Sequence, residues 1–438
     1  MKFSKGDKFK ANSKIYTIED ILGSGGQGEV YLVKCENNYY AFKYFIDKPE
    51  RNFINNLMNN INKGAPSDNF IWPKELIEFK NSFGYIMDLR PKEYSSFVSY
   101  LTGKTKLPSM KILLNWCIEL VKSFKHLHEK GLSYQDLNEG SFFIKKETGE
   151  LLICDNDNVA AAGQNFGILG KMRYMAPEIV RGDIDPFTND RQMPDIHSDR
   201  FSLAIILFLA LCLGNPFEGN RLKGYDIIDE KAEFELFGSN PIYIYNKDDS
   251  SNRPIRGYHA SLLKRYPLLP SYIKEAFHRT FVDGLKDREN GRTTEIEWIR
   301  LLCKYRDELV TCKCGLEYIY GFEEKTINNT CPLCGEKVRD FCYLIVGKHK
   351  IILEPKKFIY KFHLNKYSSD YNTPICEVIV NKNNKELWGI KLDLEEDVYI
   401  KDSKDNEKTI PANGVVPIIS NLKLKFNDNV IGQIITNK

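Results

Sequence analysis

Two groups of residues have the types and spacing to do chemistry. The first is LGSGGQGEV, a G-x-G-x-x-G-x-V run formed by Gly23, Gly25, Gly28 and Val30 between two strand-like stretches. Glycines at such positions let backbone N–H groups close over phosphate oxygens with no Cβ in the way. A dinucleotide-binding loop has similar glycines but runs on into a helix, whereas EVYLVKC continues here as a strand. The next strand, YYAFKYF, sets Lys43 where an ammonium can reach α- and β-phosphates. The second group is Cys312-x-Cys314 and Cys331-x-x-Cys334, with 16 residues between the pairs and a glycine, Gly315 or Gly335, after each. Four thiolates on two tight turns suit a tetrahedral Zn²⁺, and an all-protein ligand set leaves no position for catalysis, so the metal is structural. A disulfide reading of the four is disfavoured by the reducing compartment that eleven cysteines without an export signal imply. The seven remaining cysteines read as small buried apolar residues.

Further motifs follow in a fixed order: YIMDL, LSYQDLNEGSFFI, ICDNDN, MAPEIV, SDRFSLAIILF and NGRTTEIEWI. With them, residues from about 15 to 305 resemble the eukaryotic-like Ser/Thr protein kinases found in bacteria. That resemblance implies two lobes with ATP and Mg²⁺ (or Mn²⁺) in the cleft between them. It makes Lys43 the ATP lysine and places Met87 behind the adenine, with Asp88 and Leu89 offering backbone hydrogen bonds. Asp136 matches the catalytic aspartate that orients and deprotonates the acceptor hydroxyl, and Asp155 the aspartate that holds the metal. Glu178 closes the activation segment and Arg292 is its expected buried partner. Asp199 matches an aspartate that braces the catalytic loop.

Several residues depart from the family pattern. Ser141 stands where a metal-binding asparagine is usual, with Asn138 and Asn156 as candidate substitutes. The metal motif reads Asp155-Asn156-Asp157, which adds a carboxylate near the metals. The helix after Lys43 has no mid-helix glutamate, so the usual Lys–Glu pair lacks its acid. Gln135 precedes Asp136 in place of arginine, and Tyr174 is the sole hydroxyl between Asp155 and Glu178. A phosphate receiver and a phosphorylatable Ser or Thr are absent together, which predicts activity without activation-segment phosphorylation. Asn138 replaces the lysine two past the catalytic aspartate, and Lys171 replaces a threonine before MRYMAPE.

The elements that must position these residues read as a small strand-rich lobe and a larger helical one. Residues 1–90 alternate short strands with turns, interrupted by PERNFINNLMNNINKG, whose Phe53, Ile54, Leu57, Met58 and Ile61 share one helical face. Residues 91–306 are mainly helical, and Gly131 stops the first long helix. The insert Asn246 to Pro270 reads as a surface excursion of this lobe. Residues 307–337 hold the zinc ribbon. Residues 338–438 alternate apolar positions with turns, as a small β-sandwich does; they resemble the forkhead-associated sandwich without its phosphate-binding set, and read as an interaction module. The fold class expected is α+β, a two-lobed kinase fold followed by a ribbon and a small all-β domain. The most apolar stretch, FSLAIILFLALCLG, has 14 residues, short of the ~20 needed to span a bilayer. A net charge of +3 gives no bulk attraction to nucleic acid, so a zinc-ribbon nucleic-acid binder ranks last. The leading expectation is a cytoplasmic protein kinase acting on a protein substrate. The family association adds a cognate phosphatase and a metal-binding partner protein. The alternative is a nucleotide-binding pseudokinase that acts as a signalling scaffold.

Overall fold

The structure, a computed structural model, describes residues 3–26, 28–166, 170–185, 188–322, 330–338 and 340–437. Gln27 of the glycine loop and 167–169 of the activation segment therefore lie outside the described residues, as do 323–329 between the two cysteine pairs.

The first 90 residues form one six-stranded antiparallel sheet. Its strands are β1 (Lys8–Ala11), β2 (Lys14–Ser24), β3 (Gly28–Cys35), β4 (Asn38–Phe45), β5 (Pro73–Glu78) and β6 (Phe83–Asp88), in the order β1-β2-β3-β4-β6-β5. The alternation that built β3 is visible in its burial, with Tyr31, Val33 and Cys35 packed on one face. β3 pairs β4 so that Val30 lies opposite Lys43, and β4 pairs β6 so that Ala41 lies opposite Met87. The register thus brings the glycine loop, the lysine and the expected hinge side by side. Gly28 is required by a close approach: a Cβ there would meet the Tyr44 carbonyl oxygen at 2.0 Å.

Between β4 and β5 runs α1 (Arg51–Lys63), stopped by Gly64 at φ +74°. Its buried face is Phe53, Ile54, Asn56, Leu57 and Asn60, while Met58 is 42% exposed. The apolar stripe read from sequence is thus rotated, because Asn56 and Asn60 both donate to the Val159 carbonyl, at 2.8 and 2.7 Å. Two amides satisfying one carbonyl outweigh one methionine kept in water.

The larger lobe is built on helices. Met110–Glu129 ends at Gly131, φ +68°, and Ile196–Cys212 is buried all round, which explains its long apolar run without a membrane. Asp195 caps the latter by accepting from His197 and Ser198 N–H. No helix among the described residues is long and apolar enough to cross a membrane. Short strands Leu132–Tyr134 and Val159–Ala161 pair and frame the loop that carries Asp136. The insert from Asn246 is anchored rather than loose, since Asn252 is 1% exposed and donates to the carbonyls of Phe217 and Ile242.

The chain divides into two compact units. The first is 1–108, 120–265 and 276–296; the second is 109–119, 266–275 and 297–438. In the second, two sheets face each other around a core that includes Leu344, Leu353, Val378, Ile390, Leu424 and Ile434. One sheet has six strands (His349–Leu353, Phe341–Val346, Val430–Asn437, Lys423–Asn427, Val398–Lys401, Glu407–Ile410) and the other four (Phe358–Tyr360, Pro374–Val380, Trp388–Leu392, Val415–Pro417). Alternating inward residues on both sheets are the pattern of a sandwich. Helical segments belong to the same unit through polar contacts. The Arg306 guanidinium donates to Asn115 Oδ1 (2.8 Å) and Tyr371 O (2.7 Å) and lies 3.6 Å from the Tyr360 ring centroid. Tyr272 OH donates to Glu308 at 2.9 Å.

Candidate active site

The site is assembled from β4, β6 and the loops after Leu132–Tyr134 and Leu151–Ile153. Lys43 is 8% exposed, and its ammonium donates to both oxygens of Asp157, at 2.9 and 2.8 Å. Asp155 Oδ1 stands 3.6 Å from the same nitrogen. Tyr85 on β6 donates its hydroxyl to Asp157 Oδ1 at 2.8 Å. Burial alone would lower the Lys43 pKa, but the Asp157 and Asp155 charges outweigh it and keep the ammonium protonated. Sequence reasoning placed Asp157 near the metals. In the structure it is 1% exposed and pairs with Lys43, where it supplies the acid that α1 lacks. What sequence offered as a signal was the second carboxylate itself, in a loop that must sit beside Lys43 if Asp155 does.

Asp155 is the more open of the two acids on Lys43. Its side chain is 48% exposed, and its backbone is left-handed at φ +53°, ψ +42°. A non-glycine residue held there is uncommon outside sites where the surroundings fix it. Tyr134 OH secures this turn by donating to the carbonyls of Cys154 and Asp155. Asn156 is 1% exposed and its amide is spent on the carbonyls of Ile71 (2.8 Å) and Ile153 (2.9 Å). Its amide nitrogen thus clamps two loops, while its Oδ1 is buried with no hydrogen-bond partner.

Asp136 sits below the cleft. Burial raises its carboxyl above the usual range, and Asn138 and Lys171 pull it back. Its Oδ1 is buried with no protein partner. Asn138 donates to the Asp136 carbonyl (3.1 Å), while its own Oδ1 accepts from Gly140 N–H (3.0 Å) and from the Lys171 ammonium (3.3 Å). Ser141 ends the short turn that follows, wholly buried, with its carbonyl accepting from Cys154 N–H at 2.8 Å. The Ser141 hydroxyl, the expected ligand to the metal, is buried beside the Tyr134 hydroxyl.

The braces expected around the loop are in place. Asp199 Oδ2 accepts from Tyr134 N–H at 2.7 Å. Arg292 and Glu178 form a two-pronged buried pair, both contacts at 2.8 Å. Gln135 donates to the Gln164 carbonyl, a neutral tie to the activation segment from the position where arginine is usual. Tyr174 is 3% exposed and its hydroxyl bonds Glu139. Of the hinge residues, Met87 is buried against Ala41 and Ile71, and the Asp88 side chain turns to Lys74.

Residues 16–268, more than half of the chain, match the protein kinase domain. The chain belongs to the protein kinase domain family. It is 22% identical over 362 residues to the protein kinase YegI of Escherichia coli K12, covering 80% of this chain and 53% of YegI. It is 23% identical over 267 residues to the serine/threonine-protein kinase AtPK1/AtPK6 of Arabidopsis thaliana, covering 58% of this chain and 54% of that one. A third relative is the membrane-associated tyrosine- and threonine-specific cdc2-inhibitory kinase wee-1.3 of Caenorhabditis elegans, 24% identical over 210 residues, 45% of this chain and 28% of the other. The chain therefore spans about half the length of these relatives or less. The YegI match is longer than residues 16–268 and so takes in part of what lies beyond them.

A kinase domain implies ATP and Mg²⁺, and the residues present fit both. The half-exposed Asp155 carboxylate would hold the ion, Lys43 would meet the phosphates, and the unpartnered Asp136 oxygen would meet an acceptor hydroxyl. Bound Mg²⁺ supplies positive charge against the phosphate oxygens. The chain's own part is to orient: Lys43 is buried and held by Asp157, and Asp136 is held by Asn138 and the Lys171 backbone.

In the second unit the four cysteines also converge. Cys312 Sγ lies 3.5 Å from Cys334 Sγ, Cys314 Sγ lies 3.6 Å from Cys331 Sγ, and all four sulfurs are within 4.8 Å of one another. Gly315 at φ +87° and Gly335 at φ +74° close the two turns. Backbone amides donate to sulfurs in both turns, Leu316 to Cys314 and Glu336 to Cys334. The strands Leu309–Thr311 and Glu317–Ile319 pair across the first turn. Four convergent thiols without oxygen donors fit a tetrahedral Zn²⁺. A second group, Asp307, His349 and His363, is also close enough for a metal. There His363 Nδ1 accepts from Tyr360 N–H at 3.0 Å, so the proton sits on Nε2 and points at Asp307 Oδ2, also 3.0 Å away. That nitrogen is a donor, and the group reads as a structural tie.

Proposed function

We propose that the chain is an ATP- and Mg²⁺-dependent protein kinase that transfers the γ-phosphoryl group to Ser or Thr hydroxyls of a protein substrate, without needing a phosphate on its activation segment. The observation that carries this reading is that Asp155 pairs with Lys43 and lies close enough to Asp136 to feel its charge, with Lys43 held by Asp157 in the absence of a helix acid. In the reaction Asp136 orients the acceptor hydroxyl and takes its proton, while Lys43 offsets charge on the non-transferred phosphates. The relatives named as serine/threonine kinases support that acceptor class, and phosphoamino-acid analysis of the product separates it from tyrosine. Independence from phosphorylation rests on Gln135 tying the segment directly and on Tyr174 being buried.

The test is incorporation of labelled phosphate from ATP by the full chain, against Asp136→Ala and Asp155→Ala. Loss in both variants supports the kinase. Nucleotide binding with no incorporation by the native chain supports the scaffold reading, for which the buried Ser141 is the favouring observation. We further assign a structural Zn²⁺ to the four cysteines and a docking role for substrate or partner to the sandwich. A cognate phosphatase and a metal-binding protein are the partners to seek by co-purification. A reducing, cytoplasmic setting suits eleven cysteines without a disulfide.

A further inference from the structure

We infer that Lys171, carried by the activation segment, is a catalytic residue: its ammonium contacts the phosphoryl group in transfer. The inference rests on the kinase reading and adds a residue to its machinery. The step it serves is balanced as follows. The acceptor oxygen bonds to the γ-phosphorus of ATP, the bond from that phosphorus to the β-bridging oxygen breaks, ADP leaves with the electron pair, and the hydroxyl proton passes to Asp136. Negative charge is concentrated on the equatorial oxygens of the moving group, beside a carboxylate that is itself an anion. A transfer site therefore gains most from a cation at that point.

The loop that carries Asp136 does not provide one. Two residues on stands neutral Asn138, and Lys43 is committed to Asp157 and Asp155. The cation comes from the activation segment. Lys171 Nζ lies 3.3 Å from Asn138 Oδ1, and the Lys171 backbone N–H donates to the Asp136 carboxylate. Asn138 is 7% exposed and fixed at both ends of its amide, Nδ2 on the Asp136 carbonyl and Oδ1 on Gly140 N–H. Its oxygen is thus a built acceptor that aims a flexible ammonium at the catalytic aspartate. An exposed lysine is ordinarily a solvated surface charge. One that is tethered by its backbone to the catalytic carboxylate and by its head to a buried amide is positioned. Because the two side chains touch, a lysine at 138 with a threonine at 171 would present its charge in nearly the same place.

The experiment measures kcat and ATP KM of the full chain for the native protein, Lys171→Met, Lys171→Arg, Lys171→Thr and the exchange Asn138→Lys with Lys171→Thr, with Asp136→Ala as the inactive control. The expected result is a loss of about 100-fold in kcat for Lys171→Met and Lys171→Thr with little change in KM. Lys171→Arg should retain most activity, and the exchange should recover at least about tenfold over Lys171→Thr. Equal melting temperatures and equal adenosine affinity across the set exclude a folding defect. A purely structural tether predicts no recovery in the exchange, and that result overturns the inference. So does native-like kcat in Lys171→Met while Asp136→Ala is dead, which leaves the kinase reading intact. Native protein no more active than Asp136→Ala removes the kinase reading and this inference with it.

Discussion

Lys43 and Asp155 were legible because each sits in a short motif with its own local context. Asp157 was legible only as an extra acid. Its role depends on which way a buried carboxylate turns, and that is decided by Tyr85 and Lys43, 72 and 114 residues away in sequence. The same limit applied to α1: its apolar period was readable, but two asparagines choosing one distant carbonyl rotated the face it buries. The clamp makes a definite prediction. Asp157→Asn leaves Lys43 buried with only Asp155, 3.6 Å away and half in water, as counter-charge. Breaking a buried pair from one side costs roughly 3–5 kcal/mol, so chemical denaturation should show a loss of that order. Titration should show ATP and ADP binding weakened and adenosine binding unchanged, because the lysine acts on phosphates alone. A variant that loses all three ligands equally would mean the carboxylate holds the fold and not the lysine.

At the scale of elements, the helix Ile196–Cys212 carries the active loop. Its Asp199 accepts from Tyr134 N–H and faces the His128 ring from the other side, with Nε2 to Asp199 at 3.1 Å and Nδ1 to Glu295 at 2.9 Å. Sequence gave the apolar run and the brace at Asp199. It could not give His128, whose two acids lie 71 and 167 residues away. Burial would lower the His128 pKa, but hydrogen bonds to both carboxylates reverse this and raise it to about 9. Both ring nitrogens meet acceptors, so the folded form is the imidazolium. A folded pKa above the unfolded value of 6.5 means this stabilisation is complete below pH 6.5 and fades as pH rises through about 9. Its size, from that shift, is about 3 kcal/mol. Burial raises the Asp199 carboxyl above the usual range, and its contact with the His128 ring pulls it back. Glu295, lowered to about 2, acts only in acid, and Arg200 Nε donates to it at 2.8 Å. Melting temperature should therefore fall between pH 7 and 10, and His128→Gln should flatten that fall. An equal slope in the variant would place the pH dependence elsewhere.

At the scale of the molecule, the order of parts was readable, because each change in hydrophobic period marks a change of element. The grouping of parts was not. A boundary after residue 306 separates segments that the structure gathers into one unit, since 109–119, 266–275 and 297–306 cluster with the cysteine turns and the sandwich. No periodicity reports that Arg306 bridges Asn115 and Tyr371, or that Asn372 donates to Glu119 at 3.0 Å. Two outcomes follow from that grouping. Zinc analysis of the purified full chain should give about one ion per chain. Serine at Cys331, the buried one of the four, should abolish it and lower the melting temperature of the second unit, because an all-thiolate site contributes its binding energy to folding. A chain ending at residue 306 should fare worse still. It strips the Arg306 guanidinium of Tyr371, Asn372 and the Tyr360 ring and leaves a charge that is now 2% exposed facing water beside Asn115. It also uncovers Tyr272, whose hydroxyl loses Glu308. Limited proteolysis should then cut near 109–119 and 266–275 in the truncated protein and not in the full chain. Equal protection of those two stretches in both proteins would show that the kinase portion holds them without the C-terminal residues.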